Sequence, residues 1–362
     1  MQDFYHNDNF MDSMCYNNQI EGLMNLDDLD INEIDLSKKI GDMLIFGFLG
    51  YDIYSDENKD FLEDLRLGLI GGVILFARNI GSSEQLKHTI KDIVDINNDI
   101  FIYVDQEGGK VQRLRYNQYP SAEEMVDSYS KNEVEVFYEN MAKELESYRI
   151  NVNLGPVVDI DNKDCPVIGG LRRSYSNDPE IISNYASIFI DSHHKHQIYT
   201  CIKHFPGHGS AQGDSHHGLT DVTDHFDERE LIAFYKLIKN DKVDMIMTAH
   251  IVNKKYDEND PATLSKNTIT NLLRDAKYNG DVIKYDGIVI SDDLCMGAIM
   301  QHYSLKDSIL KSMYSYFARH NVDKKSKDFG NEKNPSKGYI AWLLWGGDVC
   351  EDWIKKIYQK IN

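Results

Sequence analysis

The chain has 362 residues, of which 41% are hydrophobic, so it can bury a large core as one α/β barrel or as two smaller domains. Its formal net charge of -20 argues against nucleic acid as a partner, because a surface that binds phosphates needs clustered lysine and arginine. Five scattered cysteines without a C-x-x-C pair, no secretory signal and no uncharged apolar stretch of about 18 residues predict reduced thiols, no membrane association and a cytoplasmic location.

The N-terminal segment is acidic. No lysine or arginine precedes Lys38, while Asp and Glu recur from Asp3 to Asp35 among Asn and Met residues. Acidic segments with few apolar anchors seldom pack against a core. We therefore expect residues 1–36 to be a poorly ordered extension and residues 37–362 to form a single catalytic domain. An arm docked on that domain, or a segment that binds a partner, is the alternative.

From Lys38 onward, short apolar runs alternate with longer amphipathic stretches. In residues 82–97, for example, Leu86, Ile90, Ile93 and Val94 recur at helical spacing. Apolar strands separated by helices indicate a parallel sheet that is covered on both faces. The strand candidates are residues 43–50, 71–78, 100–107, 150–159, 199–205, 244–250 and 287–293.

The number of these units predicts a (β/α)8 TIM-type barrel, a fold of about 250 residues plus insertions. Residues 338–347 could supply the eighth strand, and the charged stretch before them makes the eighth unit atypical. A doubly wound open sheet is the alternative. It is weakened because no G-x-G-x-x-G or G-x-x-x-x-G-K-[ST] motif follows the early strands.

Most of the predicted strands end in ionisable residues. In a barrel of parallel strands, the active site lies where the carboxyl ends of the strands meet. One such residue is often only a cap or a turn residue, but five strands that end this way indicate a shared polar site at the barrel mouth. The residues concerned are Asp105, Glu107, Asp159, Lys203, His204, His250, Asp292 and Asp293.

A Gly-rich loop over residues 203–219, KHFPGHGSAQGDSHHGL, concentrates four histidines and Asp214. Asp214 and His216 are two positions apart, so in an extended segment the carboxylate can orient the imidazole. An imidazole with a pKa of about 6.5 can both donate and accept a proton near neutral pH. Metal binding by His204, His208 and His216 is the weaker alternative, since the H-x-H and H-E-x-x-H spacings of zinc sites are absent from this loop. Other histidines are expected to be solvated, namely His193, His194, His196 and His217.

Seven segments of the chain together resemble glycoside hydrolase family three. They are VDQEGGKVQRL, NVNLGPVVDI, RRSYSNDP, KHFPGHGSAQGDSH, MIMTAHI, DPATLSK and GIVISDDLCMGAI, and they follow in order from about Lys38 to Met300. Within the family, the chain most resembles the single-domain bacterial β-N-acetylhexosaminidases that recycle peptidoglycan fragments. The resemblance implies a barrel and a retaining double displacement at a sugar. Residues 301–362 and the acidic N-terminal segment depart from the family pattern.

The resemblance also implies roles for individual residues. Asp292 matches the nucleophile, and His216 matches the acid/base with Asp214 as its carboxylate partner. Arg172 is a rival for the position of Arg173, because GGLRRS carries an extra residue relative to the usual pattern. The implied mechanism needs neither a metal nor an organic cofactor. Substrate-binding residues of the family are matched by Asp105, Arg113, Arg173, Lys203 and His204.

The implied function is that of an exo-acting β-N-acetylglucosaminidase, which releases N-acetylglucosamine from peptidoglycan-derived muropeptides through a covalent glycosyl-Asp292 intermediate. Its partner is then a small-molecule glycan, with no nucleic acid and no membrane, and we expect a monomer. A β-glucosidase or an N-acetylglucosaminide phosphorylase of the same family remains an alternative. A metal-dependent barrel hydrolase and a sugar-binding protein without catalytic activity also remain.

Overall fold

The computed structural model describes residues 31–215, 217–323, 350–351 and 353–357 of the chain. Within them, seven parallel strands form one sheet. Each of the seven predicted strands contains an observed one, and all but one are longer than observed because their ends leave the sheet for loops. The strands are β1 (Ile45–Phe46), β2 (Gly72–Leu75), β3 (Phe101–Val104), β4 (Val152–Asn153), β5 (Tyr199–Phe205), β6 (Met245–Thr248) and β7 (Ile288–Ser291).

The spatial order of these strands is their order in the chain, from β1 to β7. Neighbouring strands are parallel; Val73 of β2 lies opposite Ile102 of β3, and Ile246 of β6 lies opposite Val289 of β7. A doubly wound sheet reverses its order at a switch point. The described strands never reverse, so the sheet curls in one direction as in a TIM-type barrel, which confirms the predicted fold class. The eighth strand candidate, residues 338–347, lies outside the described residues.

Helices α2 to α7 lie in the connections between the strands, α1 precedes β1 and α8 follows β7, and several helices begin with side-chain caps. Ser82 Oγ accepts a hydrogen bond from the N–H of Gln85 before α3, and Ser130 and Glu133 form a capping box at the start of α5. Among the described helices, none has the length and apolar character needed to cross a membrane. The helices are α1 (Ile31–Gly41), α2 (Lys59–Leu67), α3 (Ser83–Ile96), α4 (Ala122–Ser128), α5 (Lys131–Ser147), α6 (Pro179–His194), α7 (Glu230–Lys239) and α8 (Leu305–Asp323).

Shorter elements fill the loops. Single helical turns are Asp56–Asn58, Ala77–Asn79, Gly169–Leu171, Lys266–Thr268, Ile269–Arg274 and Gly297–Met300. Strand pairs outside the main sheet are Gln106–Gly108 with Val111–Gln112, Thr220–Asp221 with Ile251–Val252, and Ala276–Tyr278 with Asp281–Ile283.

The side chains of the sheet alternate between two apolar layers, as the two-residue period of a strand requires. The layer inside the curl collects residues from all seven strands, among them Tyr103, Cys201 and Met245. The outer layer joins the sheet to the helices, as where Ile102 of β3 clusters with Ile90 of α3. Both layers are mainly apolar, so the polar chemistry of the fold is concentrated at the carboxyl ends of the strands, such as Lys203 and His204 of β5, and in the residues that follow them.

The cysteines match the expectation only in part. Cys165, Cys201 and Cys350 are free and buried. Cys295 is disulfide-bonded. The prediction that all thiols are reduced is therefore wrong at Cys295.

Candidate active site

A buried lysine of β5 joins two carboxylates of the segment that follows β3. Lys203 Nζ lies 2.8 Å from Oδ1 of Asp105 and 2.7 Å from Oε1 of Glu107. Arg113 Nη2 lies 3.2 Å from Oδ2 of Asp105. Burial raises the pKa of Asp105, but the charges of Lys203 and Arg113 outweigh it and hold this pKa below its usual value. Asp105 is therefore an anion whose two oxygens are shared between two cations.

A second ion pair stands beside the first. Arg173 binds Glu107 through two N–H groups, with an Nη2–Oε1 distance of 2.8 Å and an Nε–Oε2 distance of 2.9 Å. Burial raises the pKa of Glu107, but the charges of Arg173 and Lys203 hold it at about 2. From the sequence, Glu107 was predicted only as an ionisable residue at a strand end. Its position two residues after Asp105 was the available signal, since alternate residues of an extended segment share one side.

The adjacent arginines Arg172 and Arg173 point in different directions. Arg172 forms ion pairs at the surface, with N–O distances of 3.3 Å to Glu123 and 3.0 Å to Glu124. Arg173 points inward, where its Nη2 also lies 3.3 Å from Nε2 of His204. The geometry therefore favours Arg173 as the arginine of the site.

The ring nitrogen of His204 that points away from Arg173 contacts a fully buried carboxylate. This nitrogen, Nδ1, lies 2.6 Å from Oδ2 of Asp159, whose Oδ1 accepts the backbone N–H groups of His204 and His208 at 3.1 and 2.8 Å. Burial raises the pKa of Asp159, but the imidazole of His204 outweighs it, and the pKa lies below its usual value. Asp159 thus anchors both histidines, although sequence analysis recognised it only as a strand end.

The turn after β7 carries Asp292 and is fixed by the last residue of β6 and by His250, which follows that strand. The N–H of Asp292 donates to the carbonyl oxygen of Thr248 at 3.2 Å, and its Oδ1 accepts the N–H of Asp293 at 2.9 Å. His250 donates from Nε2 to the carbonyl oxygen of Asp293 at 2.8 Å, and its Nδ1 lies 2.8 Å from Oγ1 of Thr263. These contacts hold the backbone that presents Asp292. His250, like Asp293, therefore supports the turn.

The loop of the predicted acid/base approaches the same turn. His216 itself lies outside the described residues. On one side of it, the carbonyl oxygen of Ser215 accepts the N–H of Ala298 at 3.1 Å. On the other side, the carbonyl oxygen of His217 accepts a hydrogen bond from Nε2 of Gln301 at 2.8 Å. Both neighbours of position 216 are therefore tied to the segment that follows the turn of Asp292.

Asp214, the predicted partner of His216, is described, but their separation is not. Oδ2 of Asp214 lies 3.8 Å from Nε2 of His217, whose side chain is 74% exposed, as expected for a solvated histidine. The dyad of Asp214 and His216 stays a prediction.

The histidines of DSHHKHQ divide between surface and core. His194 and His196 lie at or near the surface, 2.7 Å from Asp244 and 2.8 Å from Glu146. His193 is 0% exposed, so the prediction that it is solvated is wrong. It lies on the face of α6 that packs on the barrel, where burial excludes water.

The two buried histidines of the 203–219 loop, His204 and His208, are engaged in hydrogen bonds. Nε2 of His208 lies 3.1 Å from Oγ of Ser215, and burial together with His204 lowers the pKa of His208 to about 4. The part of the chain that the structure describes contains no group of three His, Cys, Asp or Glu side chains that could hold a metal ion. The set of His204, His208 and His216 includes a residue outside that part, so this alternative is left to experiment.

A buried carboxyl group of α7 supports the base of the loop. Oε1 of Glu230 accepts the N–H and the hydroxyl of Ser210 at 2.6 and 2.9 Å, and its Oε2 accepts the N–H of Ile160 at 2.9 Å. Burial and the charge of Asp159 raise the pKa of Glu230 to about 8. No strand end or motif marks Glu230 in the sequence, so this residue was not predicted.

One cavity runs along the inside of the curled sheet, from residues before the strands, such as Asn97 and Gly287, to the residues that follow the strands. Its walls include Asp105, Arg113, Arg173, Asp214 and Asp292. A parallel barrel whose strand ends carry acidic and basic side chains around one cavity has the layout of a (β/α)8 enzyme.

The chain belongs to glycosyl hydrolase family 3, which confirms the predicted family. The model of the glycosyl hydrolase family 3 N terminal domain matches residues 35–315. A β-hexosaminidase from Photobacterium profundum is 36% identical over 270 residues, which cover 72% of this chain and 76% of that protein. A β-hexosaminidase from Pseudomonas aeruginosa is 34% identical over 238 residues, which cover 64% of this chain and 68% of that protein.

Solved structures agree with this membership. A glycoside hydrolase family 3 β-N-acetylglucosaminidase from Paenibacillus sp. is 31% identical with a TM-score of 0.68; the match covers 77% of this chain and 53% of that longer one. NagZ from Neisseria gonorrhoeae, in complex with N-trifluoroacetyl-D-glucosamine, is 25% identical with a TM-score of 0.65, and the match covers 88% of this chain and 93% of that one. The protein is a glycosidase of this barrel family.

Proposed function

We propose that this protein is a retaining, exo-acting β-N-acetylglucosaminidase. The proposal is supported by the β-hexosaminidases to which the chain is similar, and by the NagZ structure that binds an N-acetylglucosamine analogue. The observation that carries it is the position of Asp292, which lines the same cavity as Asp105, Arg113 and Arg173. A nucleophilic carboxylate and a set of sugar-binding groups must share one cavity for this reaction.

In the proposed mechanism, Asp292 attacks the anomeric carbon of N-acetylglucosamine while His216 protonates the leaving oxygen. The resulting glycosyl ester of Asp292 is hydrolysed by water, from which His216 removes a proton. Asp214 orients His216 and stabilises the imidazolium that forms. The ties of Ser215 and His217 to the segment after Asp292 support this assignment, because they bring the two halves of the chemistry together.

In the same proposal, Asp105, Arg113, Arg173, Lys203 and His204 hold the sugar ring. These groups are already fixed by one another before substrate enters, since Lys203 and Arg113 share the oxygens of Asp105. Such a preformed set positions the sugar without first having to be ordered. Glu107 joins it as the counter-ion that keeps Arg173 and Lys203 in place.

We further propose a muropeptide as natural substrate and peptidoglycan recycling as the role, carried out by a monomer in the cytoplasm. Here residues 37–362 form the catalytic domain and residues 1–36 precede it. The predicted boundary is wrong in its position, because α1 (Ile31–Gly41) crosses it and Leu36 packs against the cluster that contains Ile40 and Leu310. The family resemblance supports the substrate. Cell fractionation with detection of the protein tests the location.

One set of assays tests the activity. We expect hydrolysis of an aryl N-acetyl-β-glucosaminide without added phosphate, with N-acetylglucosamine as the product. A sugar phosphate formed only with added phosphate would identify a phosphorylase, and faster cleavage of an aryl β-glucoside would identify a β-glucosidase. Activity that is lost on chelation and restored by a metal would favour the metal-dependent alternative. Sugar binding without turnover of any of these substrates would indicate a non-catalytic protein.

A further inference from the structure

Behind the proposed sugar-binding residues lies a buried chain of polar side chains that no step of the mechanism uses. Its members are His193 of α6, Asn153 of β4 and Gln106, which directly follows Asp105. All three are 0% exposed. Polar groups at this depth are costly unless each finds a partner, so their hydrogen bonds define what the chain does.

His193 connects the last turn of α6 to the sheet. Its Nδ1 lies 2.8 Å from the carbonyl oxygen of Phe189, and its Nε2 lies 2.9 Å from Nδ2 of Asn153. A carbonyl oxygen only accepts, so Nδ1 carries the proton and Nε2 accepts a hydrogen bond from Asn153. The ring of Phe189 stacks on the imidazole at a centroid distance of 4.1 Å and fixes its plane.

The side-chain amide of Asn153 also forms two hydrogen bonds with the backbone of Gln106. Its Oδ1 accepts the N–H of Gln106 at 3.0 Å, and its Nδ2 donates to the carbonyl oxygen of Gln106 at 2.9 Å. Rotating this amide by half a turn would set donor against donor and acceptor against acceptor. The nitrogen of His193 accepts the second hydrogen of Nδ2, so the amide is held in one orientation.

The side chain of Gln106 binds the backbone of the segment that carries Arg113. Its Oε1 accepts the backbone N–H groups of Arg113 and Leu114 at 2.9 and 3.0 Å, and its Nε2 donates to the carbonyl oxygen of Leu114 at 3.0 Å. The guanidinium of Arg113 in turn reaches Asp105 at 3.2 Å. The network that starts at His193 therefore ends at the backbone of Gln106, the residue next to Asp105, and at the backbone of Arg113.

We propose that His193 is a positioning residue for Asp105 and Arg113, which it holds through Asn153 and Gln106. The inference rests on the proposed function, because it takes Asp105 and Arg113 as sugar-binding residues. A misplaced sugar is bound less well in both the ground state and the transition state. The loss therefore falls on KM, and it is the same for good and poor leaving groups.

The test compares His193→Asn with His193→Gln. Asparagine is too short to reach Asn153, whereas glutamine can extend an oxygen to the place of Nε2 and accept the same hydrogen bond. We expect H193N to raise KM for an aryl N-acetyl-β-glucosaminide about tenfold and H193Q to stay within about threefold of the wild type. His194→Asn is the matched control; its imidazole is at the surface beside Asp244 and should leave KM unchanged.

A second readout does not depend on activity. The backbone N–H of Gln106 donates to the side chain of Asn153, and those of Arg113 and Leu114 donate to the side chain of Gln106. The hydrogen exchange of these three N–H groups should be about tenfold faster in H193N than in the wild type or H193Q. A wild-type protein that cleaves no glycoside would refute the proposed function alone. Equal KM and equal exchange in H193N and H193Q would overturn the role of His193.

If H193N does not fold, Asn153→Asp takes its place. Aspartate keeps the acceptor for the N–H of Gln106 but loses the donors to His193 and to the carbonyl oxygen of Gln106. The same rise in KM and in exchange is expected, and wild-type values for both would overturn the inference.

Discussion

The carboxylate of Glu107 and the guanidinium of Arg173 form a two-point ion pair whose side chains are only 8% and 12% exposed. Lys203 adds a third contact to Glu107 at 2.7 Å. Such a pair is not by itself a source of stability, because two charges must leave water to form it. Its effect is to fix positions, since Glu107 holds the side chains of Arg173 and Lys203 at the end of the barrel where we propose that the sugar binds.

Glu107→Gln is therefore expected to lower the free energy of unfolding by about 3–5 kcal/mol, because it removes the carboxylate that pairs with Arg173 and leaves Lys203 with Asp105 alone. Urea unfolding followed by circular dichroism measures the change. Arg172→Gln is the matched control, since it removes a pair at the surface and should cost less than about 1 kcal/mol. A loss in the Glu107 variant no larger than in the control would contradict the prediction.

The local pattern of apolar residues was enough to predict the strands that repeat along the chain. Buried parallel strands require continuous apolar runs, so each of the seven strands left a visible segment. Asp105, Lys203 and Asp292 could be found because they directly follow such runs, and a barrel brings the ends of its strands together. The contacts that join Asp105 and Lys203 across 98 residues of sequence could not be read from either segment alone.

The residues that sequence analysis missed act through contacts between distant elements. Glu230 begins a helix, where an acidic residue is ordinary, and only the fold shows that it binds Ser210 and Ile160. His193 was placed among solvated histidines because of its composition. It follows Phe189 at a helical spacing that continues the apolar face of α6, and this signal outweighs the charge of its neighbours.

Stability in acid should depend on His193. Burial lowers its pKa to about 4, so between pH 6.5 and 4 the folded protein binds fewer protons than the unfolded one. The stability of the protein with neutral His193 is therefore at its full value above pH 6.5. As the pH falls from 6.5 to 4, the free energy of unfolding decreases by on the order of 3 kcal/mol. Glu230, with a pKa raised to about 8, works in the opposite direction, so the test compares two proteins at each pH.

We expect the difference in unfolding free energy between the wild type and His193→Gln to shrink or change sign from pH 6.5 to 4, as measured by urea unfolding. His194→Gln is the control with the opposite sign. Asp244 raises the pKa of His194, so the stability it contributes is present at low pH and is lost as the pH rises. A difference for His193→Gln that does not vary with pH would contradict the prediction.

The nucleophile can be distinguished from its neighbour. Asp292→Ala should lose essentially all turnover while remaining folded, because the glycosyl ester can no longer form. Asp293→Asn should lose less, since an amide oxygen can still accept the N–H of Cys295, as Asp293 does at 2.8 Å. A fluorinated slow substrate followed by peptide mapping should locate the label on Asp292. A label on any other residue would show the assignment to be wrong.

The role of His216 predicts a dependence on the leaving group. An acid matters most when the leaving oxygen is basic and needs a proton, and least when the leaving group departs unaided. His216→Ala should therefore slow cleavage of a natural-type disaccharide by about 10²–10⁴-fold, and cleavage of a nitrophenyl glycoside much less. Asp214→Asn should show the same pattern more mildly, because it spoils orientation and charge but keeps the proton carrier.

Azide should separate this role from substrate binding. A small anion can attack the glycosyl ester of Asp292 without a general base, so azide should partly restore turnover of the nitrophenyl glycoside by His216→Ala and yield a glycosyl azide. His193→Asn serves as the control, since a positioning defect slows good and poor leaving groups equally and azide cannot repair it. Equal losses on both substrates without azide rescue in His216→Ala would mean that His216 binds substrate or a metal, and that another group donates the proton.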